Sequence, residues 1–263
     1  MNYFYFLFRG SMMTVFAYRT WMLTASAANL LYIVVVYQLW RAIYSGSEQL
    51  NNMSFDQSFL YLSLAGTLFA VFKTTADYSM SADVSSGMIT NYLLKPIDHQ
   101  LYLLADNLGR VALNVVFVMI PAFVLVVGVF GVSPPFSVDF LWFLPAFLMA
   151  YCISFFIDYS VGCVAFYTES IWGIFTTKDT LVMVLSGVTI PFAFFPNWLQ
   201  EVLIWSPFVA IYHTPVSILM GTVESTSQLI QMISNQLLWI LVLLASSRLF
   251  FKKSSQALVV NGG

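Results

Sequence analysis

Residues 108–131 read LGRVALNVVFVMIPAFVLVVGVFG, an apolar run in which Arg110 is the one charged residue. A helix needs about 20 predominantly apolar residues to cross a hydrocarbon core of about 30 Å, so this run is long enough to span a membrane. Pro121 stands near its middle and predicts a kink, because proline removes a backbone donor and clashes with the preceding turn. The stretch therefore predicts a membrane-spanning helix.

Five further apolar runs flank this one. Two precede it, at residues 22–44 and 59–72, and residues 55–60 can extend the second. Three follow it, at residues 140–167, 181–195 and 229–251. We therefore expect an all-α integral membrane protein with six transmembrane helices, of which residues 108–131 form the third.

The stretch between the fifth and sixth runs, residues 196–221, is also apolar. Pro196, Pro207 and Pro215 divide it into pieces of about ten residues, which are too short to span a bilayer. Such pieces predict interfacial or re-entrant helices instead of a seventh span.

The overall composition supports a membrane location. Hydrophobic residues make up 60% of the 263 positions and charged residues 8%, whereas soluble domains average about 25% charged residues. Most of the surface therefore faces lipid. The formal net charge of −2 argues against a nucleic-acid partner, which requires a concentrated basic surface.

The basic residues settle the predicted orientation. With six spans and a cytoplasmic N-terminus, Arg41 is the one basic residue on the outer side, and both termini are cytoplasmic. This asymmetry is what the positive-inside rule requires, and a seventh span would break it. The residues then placed on the cytoplasmic side are Arg9, Arg19, Lys73, Lys95, Arg110, Lys178, Arg248, Lys252 and Lys253.

The polar segments complete the predicted organisation. Residues 1–21 are aromatic-rich and predict an N-terminal interfacial helix, followed by the transmembrane domain at 22–251 and a cytoplasmic tail at 252–263. The longest cytoplasmic segment, residues 73–108, predicts a short helix lying across the membrane face, a docking point for a cytosolic partner. An ordinary connecting loop is the alternative.

Motifs of known catalytic chemistry are missing from the sequence. It contains no GxxxxGK[ST] phosphate loop, no HExxH and no GxSxG. The two histidines, His99 and His213, fall on opposite sides of the predicted membrane, which argues against a zinc site. We therefore expect no catalytic, cofactor or metal site in this chain.

Asp158 is the one carboxylate that lies well inside a predicted span. An ionisable group there is costly and is a functional candidate by default, here for a translocation path. The alternative is a structural pairing with Ser, Tyr or a basic group near the cytoplasmic end of the helix.

Several segments resemble a known family. The run Ser86-Gly87-Met88-Ile89-Thr90-Asn91-Tyr92-Leu93-Leu94-Lys95-Pro96 is similar to the cytoplasmic loop of the type-2 permeases of bacterial ATP-binding-cassette exporters. Residues 166–173 resemble the segment that follows the fourth span of those permeases, although Tyr167 stands where Trp is expected. Residues 190–200, IPFAFFPNWLQ, resemble their Pro…Phe-Phe-Pro-x-Trp-Leu stretch, and Pro207-Phe208, Pro215-Val216 and the final Gly262-Gly263 continue the likeness.

The resemblance implies a permease that pairs with a second permease, identical or related, and with two copies of a cytosolic ATP-binding subunit that holds ATP and Mg. It implies export across the bacterial cytoplasmic (inner) membrane. A coupling helix between spans 2 and 3 would seat in the ATPase, and outer re-entrant helices between spans 5 and 6 would cap the exit. The coupling residues would be Asp77, Ser81, Asp83, Ser86, Gly87 and Met88, and the outer helices would be marked by Pro196, Trp198, Pro207 and Pro215.

Two other functions fit the same composition. A secondary transporter or channel driven by an ion gradient would need buried charge, and Asp158 alone supplies little. A membrane-embedded enzyme, such as a lipid transferase, would need a nucleophile with an adjacent base, which the sequence does not offer.

Overall fold

The computed structural model describes residues 2–17, 19–94, 97–135, 138–168, 170–223 and 225–257. Within these residues, five helices are long and apolar enough to cross a membrane. Each has 27 to 31 residues, which corresponds to about 40–46 Å and exceeds the hydrocarbon core. The predicted all-α membrane architecture is confirmed at this level, whereas the sixth span remains a prediction. The five helices are Thr20–Gly46, Phe55–Ser85, His99–Val129, Phe140–Phe166 and Thr226–Ser255.

The N-terminal segment forms α1 (Asn2–Ala17), which packs along α6 (His99–Asn114). The two helices approach closely at Gly109, where a β-carbon would lie 2.8 Å from the Phe8 carbonyl oxygen. The Ser11 hydroxyl donates to the Asp106 carbonyl across the same contact, at 2.6 Å. The predicted helix is therefore present and held by protein on one side, and its interfacial position remains a prediction.

The connection between the first two spans contains the β-structure of the described chain. After α2 (Arg19–Ile43), β1 (Gln49–Leu50) pairs with β2 (Met53–Ser54) in an antiparallel hairpin. Asn51 and Asn52 form its turn with φ angles of 47° and 61°, a conformation that asparagine tolerates better than most residues. This hairpin is a small exception to the all-α prediction.

The second span has two parts. α3 (Phe55–Phe72) ends at Lys73, and α4 (Ala76–Ser85) begins after a short non-helical break. α4 lies in the segment, residues 73–108, for which the sequence predicted a short helix, and α5 (Ile89–Leu94) follows it. Because α4 continues the second long helix, a course across the membrane face remains a prediction. α4 crosses the end of α8 (Phe143–Gly162) at Gly162, where a β-carbon would lie 2.8 Å from the Met80 β-carbon. The absence of a side chain at Gly162 allows this close crossing.

The third span passes Pro121 without ending. α6 continues through a widened π-helical turn, Val115–Met119, into α7 (Ile120–Val124), and a second such turn, Leu125–Val129, follows. π-Turns shift the hydrogen-bond register, which accommodates the donor that proline lacks. The helix is therefore irregular on both sides of Pro121, and the kink itself remains a prediction.

The fifth predicted span, residues 181–195, is displaced in the structure. The helix there is α9 (Trp172–Leu185), which starts nine residues earlier and ends at a turn where Gly187 has φ +85°. The polar residues that hid its start are satisfied within the helix. Thr176 and Thr177 donate to the carbonyls of Trp172 and Gly173, at 2.9 and 2.8 Å. With 14 residues, α9 is shorter than the five long helices.

Three short helices follow, as the prolines predicted: α10 (Asn197–Leu203), α11 (Pro207–Ile211) and α12 (His213–Leu219). Pro196 and Pro207 stand at the starts of helices, whereas Pro215 lies in the first turn of α12 instead of separating two pieces. Their re-entrant course through a membrane remains a prediction.

The last span, α13 (Thr226–Ser255), ties these elements together. The Gln236 amide donates to the Ala146 carbonyl of α8 and the Ala210 carbonyl of α11, at 3.1 and 2.8 Å. α13 extends past residue 252, so the tail predicted from there begins as helix. Residues 258–263, including Gly262-Gly263, and the Lys95-Pro96 pair lie outside the described residues.

Candidate functional site

A buried charge cluster lies between α4, α8 and α9. The Lys178 Nζ contacts one carboxylate oxygen of each of three aspartates, at 2.5 Å (Asp158), 2.8 Å (Asp179) and 3.2 Å (Asp77). The same ammonium lies 4.7 Å from the centre of the Phe175 ring. Because Asp77, Asp158 and Lys178 belong to three different helices, one cation joins all three.

The break between α3 and α4 is fastened to the same cluster. The Thr74 hydroxyl donates to the second carboxylate oxygen of Asp158. The Thr75 amide donates to the Asn107 side-chain oxygen on α6 at 2.9 Å, and the Asn107 amide in turn donates to the Leu103 carbonyl at 2.9 Å. The start of α4 is therefore held from α6, α8 and α9 at once.

The cluster is shielded from solvent. The Asp77 side chain is fully buried, and 9% of Asp158 and 12% of Lys178 are exposed. Two buried carboxyl groups and the half-buried Asp179 surround one ammonium, so carboxyl groups outnumber amines in the cluster. Taking one partner away from such a buried pair leaves an uncompensated charge, which typically costs about 3–5 kcal/mol.

A small cavity adjoins the cluster. It measures about 20 Å³ and lies against Asp158, Lys178, Ser154 and Tyr212. A cavity of that size holds about one water molecule. In this conformation Asp158 therefore faces a space that is too small for a transported molecule.

The structure brings Asp158 and Asp77 together, although the sequence assigned them to different roles. Asp158 was the translocation-path candidate, and its alternative interpretation, a pairing with a basic group, matches the contact with Lys178. Asp77 was expected on the coupling surface, but its side chain faces the protein interior. Neither functional role is tested by these positions.

The other predicted coupling residues lie at the far end of α4 and just beyond it. Ser86, Gly87 and Met88 are exposed, and Gly87 has φ +74°, a conformation suited to glycine, which ends the helix. Ser81 and Asp83 are partly buried, and Asp83 lies 3.5 Å from the buried His99 ring. The exposed turn of residues 86–88 is therefore available to a partner.

The predicted markers of the outer helices are spread between surface and core. Pro196 and Trp198 are exposed, Pro207 is partly buried and Pro215 is buried. Beneath them, His213 on α12 shares a hydrogen bond with the Tyr61 hydroxyl of α3 at 3.0 Å. The short helices are thus anchored to the second span.

Sequence reasoning missed Lys178, the residue at the centre of the cluster. It was counted only as a cytoplasmic charge, because the fifth span was placed to begin at residue 181. The usable signal was the adjacent pair Lys178-Asp179 within the otherwise apolar run of α9, since ionisable residues inside apolar helices point to a paired or functional site. Thr74 and Asn107 carry no such signal.

Comparison with known proteins identifies the family. The profile of a family described as ABC-2 family transporter protein matches residues 30–262, which is most of the chain. No curated protein matches the chain. The matched region includes α4, the charge cluster, four of the five long helices in full and the first of them from residue 30 onward. The chain therefore belongs to the ABC-2 family of transporter proteins and is a multi-pass membrane permease subunit of an ABC-type transporter.

Proposed function

We propose that this permease is part of an ATP-driven exporter. Two permeases, identical or related, form the translocation path, and two copies of a cytosolic ATP-binding subunit hold ATP and Mg and drive it. Family membership supports an ATP-binding partner. The lack of a phosphate loop in this sequence agrees with ATP hydrolysis on a separate chain.

The coupling of ATP hydrolysis to transport is assigned to α4 and the turn that follows it. The exposed residues Ser86, Gly87 and Met88 dock into the ATPase, with Ser81 and Asp83 at the edge of the contact. The observation that carries this assignment is the Lys178 cluster, because it binds the opposite end of α4 to α8 and α9. A push on residues 86–88 then moves these helices together.

Asp158 lies where such a movement would act on the path. In the conformation described above, its carboxylate is held by Thr74 and Lys178 beside a cavity of about 20 Å³. We propose that displacement of α4 opens this cavity and brings Asp158 to the translocation path. Asp77 contributes to coupling from inside, as the link between α4 and Lys178, instead of touching the ATPase.

The proposed membrane arrangement follows the charge asymmetry of the sequence. The protein lies in a bacterial cytoplasmic (inner) membrane with both termini cytoplasmic and six spans, of which α9 forms the fifth. A 14-residue helix covers about 21 Å, so the extended and 3-10 residues after it complete the crossing inside protein. The helices α10, α11 and α12 form the outer re-entrant cap.

A gradient-driven transporter remains the second candidate, and one observation favours it. The buried cluster holds more carboxylates than amines, as an ion-coupling site would. Against it, Lys178 contacts all three carboxylates and Thr74 also donates to Asp158, so protein groups already engage them in this conformation.

One experiment separates the two. The chain is purified from its native membrane in mild detergent through a C-terminal tag, and the accompanying proteins are identified and quantified. A soluble partner with a GxxxxGK[ST] motif at one copy per permease supports the exporter. A preparation without such a partner, under conditions that keep other ABC complexes intact, supports the gradient-driven alternative.

A further inference from the structure

A second cavity, of about 380 Å³, lies between the start of α6 and the end of α13. Part of its lining is apolar or aromatic and includes Leu93, Tyr92 and Phe251. Other lining residues are charged and include Asp98, Arg248 and Lys252. The cavity is therefore amphipathic, and neither the Lys178 cluster nor the exposed turn of residues 86–88 contributes to it.

The charges in this cavity do not balance. Arg248 pairs with Asp98 at 2.9 Å, which compensates one cation. Lys252 lies one helical turn beyond Arg248 on α13 and is exposed, and it has no acidic partner in the described part of the chain. The imidazole of His99 is already engaged by Asp83 at 3.5 Å and by the Tyr159 hydroxyl at 3.3 Å. One positive charge is left over.

The position of the cavity along α13 is also informative. α13 has 30 residues and spans about 45 Å, whereas the hydrocarbon core is about 30 Å thick. The helix is therefore about 15 Å longer than the core, and the basic residues Arg248, Lys252 and Lys253 favour its C-terminal end for the headgroup level. An unpaired cation beside an apolar wall at that depth matches a phospholipid, whose phosphodiester carries one negative charge above an apolar tail.

We propose that this cavity binds the headgroup of a phospholipid, with Lys252 and Arg248 contacting the phosphate and the wall of Leu93 and Phe251 receiving the glycerol and upper acyl chains. The site requires only that the chain is embedded in a membrane. It is therefore independent of whether the permease works with an ATPase.

The test measures lipid binding to the full-length protein in detergent. The protein is titrated with dioleoylphosphatidylglycerol, and native mass spectrometry monitors the bound lipid. Lys252→Gln removes the unpaired cation, and the matched control Lys253→Gln removes the neighbouring charge, which does not line the cavity. We expect Lys252→Gln to weaken binding of the first lipid about fivefold, the effect of one basic residue near a lipid surface. Lys253→Gln retains binding close to that of the unmodified protein.

Three outcomes overturn the proposal. Equal losses in both variants indicate a diffuse attraction to the basic end of α13. Dioleoylglycerol lacks the phosphate. If it binds as tightly as the phospholipid, the phosphate is not recognised. Displacement of the lipid by millimolar inorganic phosphate shows a site for a free phosphate and not for a lipid. The site is supported if the two lysine variants differ about fivefold in phospholipid affinity. That difference must disappear with dioleoylglycerol and persist in the presence of inorganic phosphate.

Discussion

The ammonium nitrogen of Lys178 lies 2.5 Å from a carboxylate oxygen of Asp158, so α8 and α9 are joined by an ion pair inside the helix bundle. Asp77 shares the same ammonium, which extends the link to α4. Asp158, proposed to line the path, and α4, proposed to meet the ATPase, are therefore linked through the same lysine.

Lys178→Gln is expected to destabilise the protein by about 3–5 kcal/mol, because it leaves Asp77 and Asp158 buried without a cation. Thermal unfolding of the detergent-solubilised chain measures the loss. Lys73→Gln is the matched control, since Lys73 lines the same small cavity as Lys178 but is exposed. Equal unfolding temperatures for the two variants would show that the cluster contributes little to stability.

Asp158→Asn is expected to impair coupling more than folding. The amide still accepts a hydrogen bond from Thr74, and Lys178 keeps Asp77 and Asp179 as partners, so no buried charge is stranded. The loss of stability should be about 1–3 kcal/mol, less than for Lys178→Gln.

Because the cargo is not identified, the readout for Asp158→Asn is the ATP hydrolysis of the co-purified complex in lipid, normalised to folded protein. We expect at least a several-fold fall. If the variant complex hydrolyses ATP as fast as the unmodified complex and is equally stable, Asp158 has no role in coupling.

Ser86→Arg is expected to weaken ATPase binding without preventing membrane insertion, because a long charged side chain is added to an exposed turn outside the core. The amount of ATPase retained on the tagged permease measures the effect. Gln256→Arg introduces the same side chain at an exposed site after α13. If both variants retain the ATPase equally, residues 86–88 are not the docking turn.

Gly162→Leu is expected to separate α4 from α8. An added β-carbon alone would lie 2.8 Å from the Met80 β-carbon and 3.0 Å from the Asp77 α-carbon, and overpacking of this kind typically costs about 1–3 kcal/mol. Gly173→Leu is the control, because a β-carbon at that helical position meets nothing within 4 Å. The unfolding temperature should fall for Gly162→Leu only. A similar fall in both variants would show that replacing a helical glycine by leucine is enough to cause it, whatever the helix crossing.

A tag after Gly263 is expected to be reachable only from the cytoplasm. The basic residues Arg248, Lys252 and Lys253 at the end of α13 favour that side. A membrane-impermeant reagent applied to intact cells and then to opened cells measures the accessibility. Labelling in intact cells would place the C-terminus outside and would reverse the proposed orientation of α13.

The number and place of the long helices could largely be predicted from the sequence, because the signal is local. A run of about 20 apolar residues must form a helix in lipid, where every backbone polar group needs an internal partner. Pro196 and Pro207 likewise mark the starts of short helices, since each proline acts on its own turn. The predicted span at residues 181–195 was wrong in its bounds because hydroxyls and charges in α9 lower its apparent hydropathy, although the folded helix satisfies them.

The partnerships between helices were decided only by the tertiary structure. Asp77, Asp158 and Lys178 are separated by 81 and 20 positions in the sequence, and nothing in their local patterns pairs them. Asp158 could be recognised as unusual from the sequence, since a charge in an apolar helix is costly wherever it lies. Its partner could not, because that depends on α4 crossing α8 at Gly162 and on α9 lying beside both, and helix crossings are set by side-chain shape over long sequence separations.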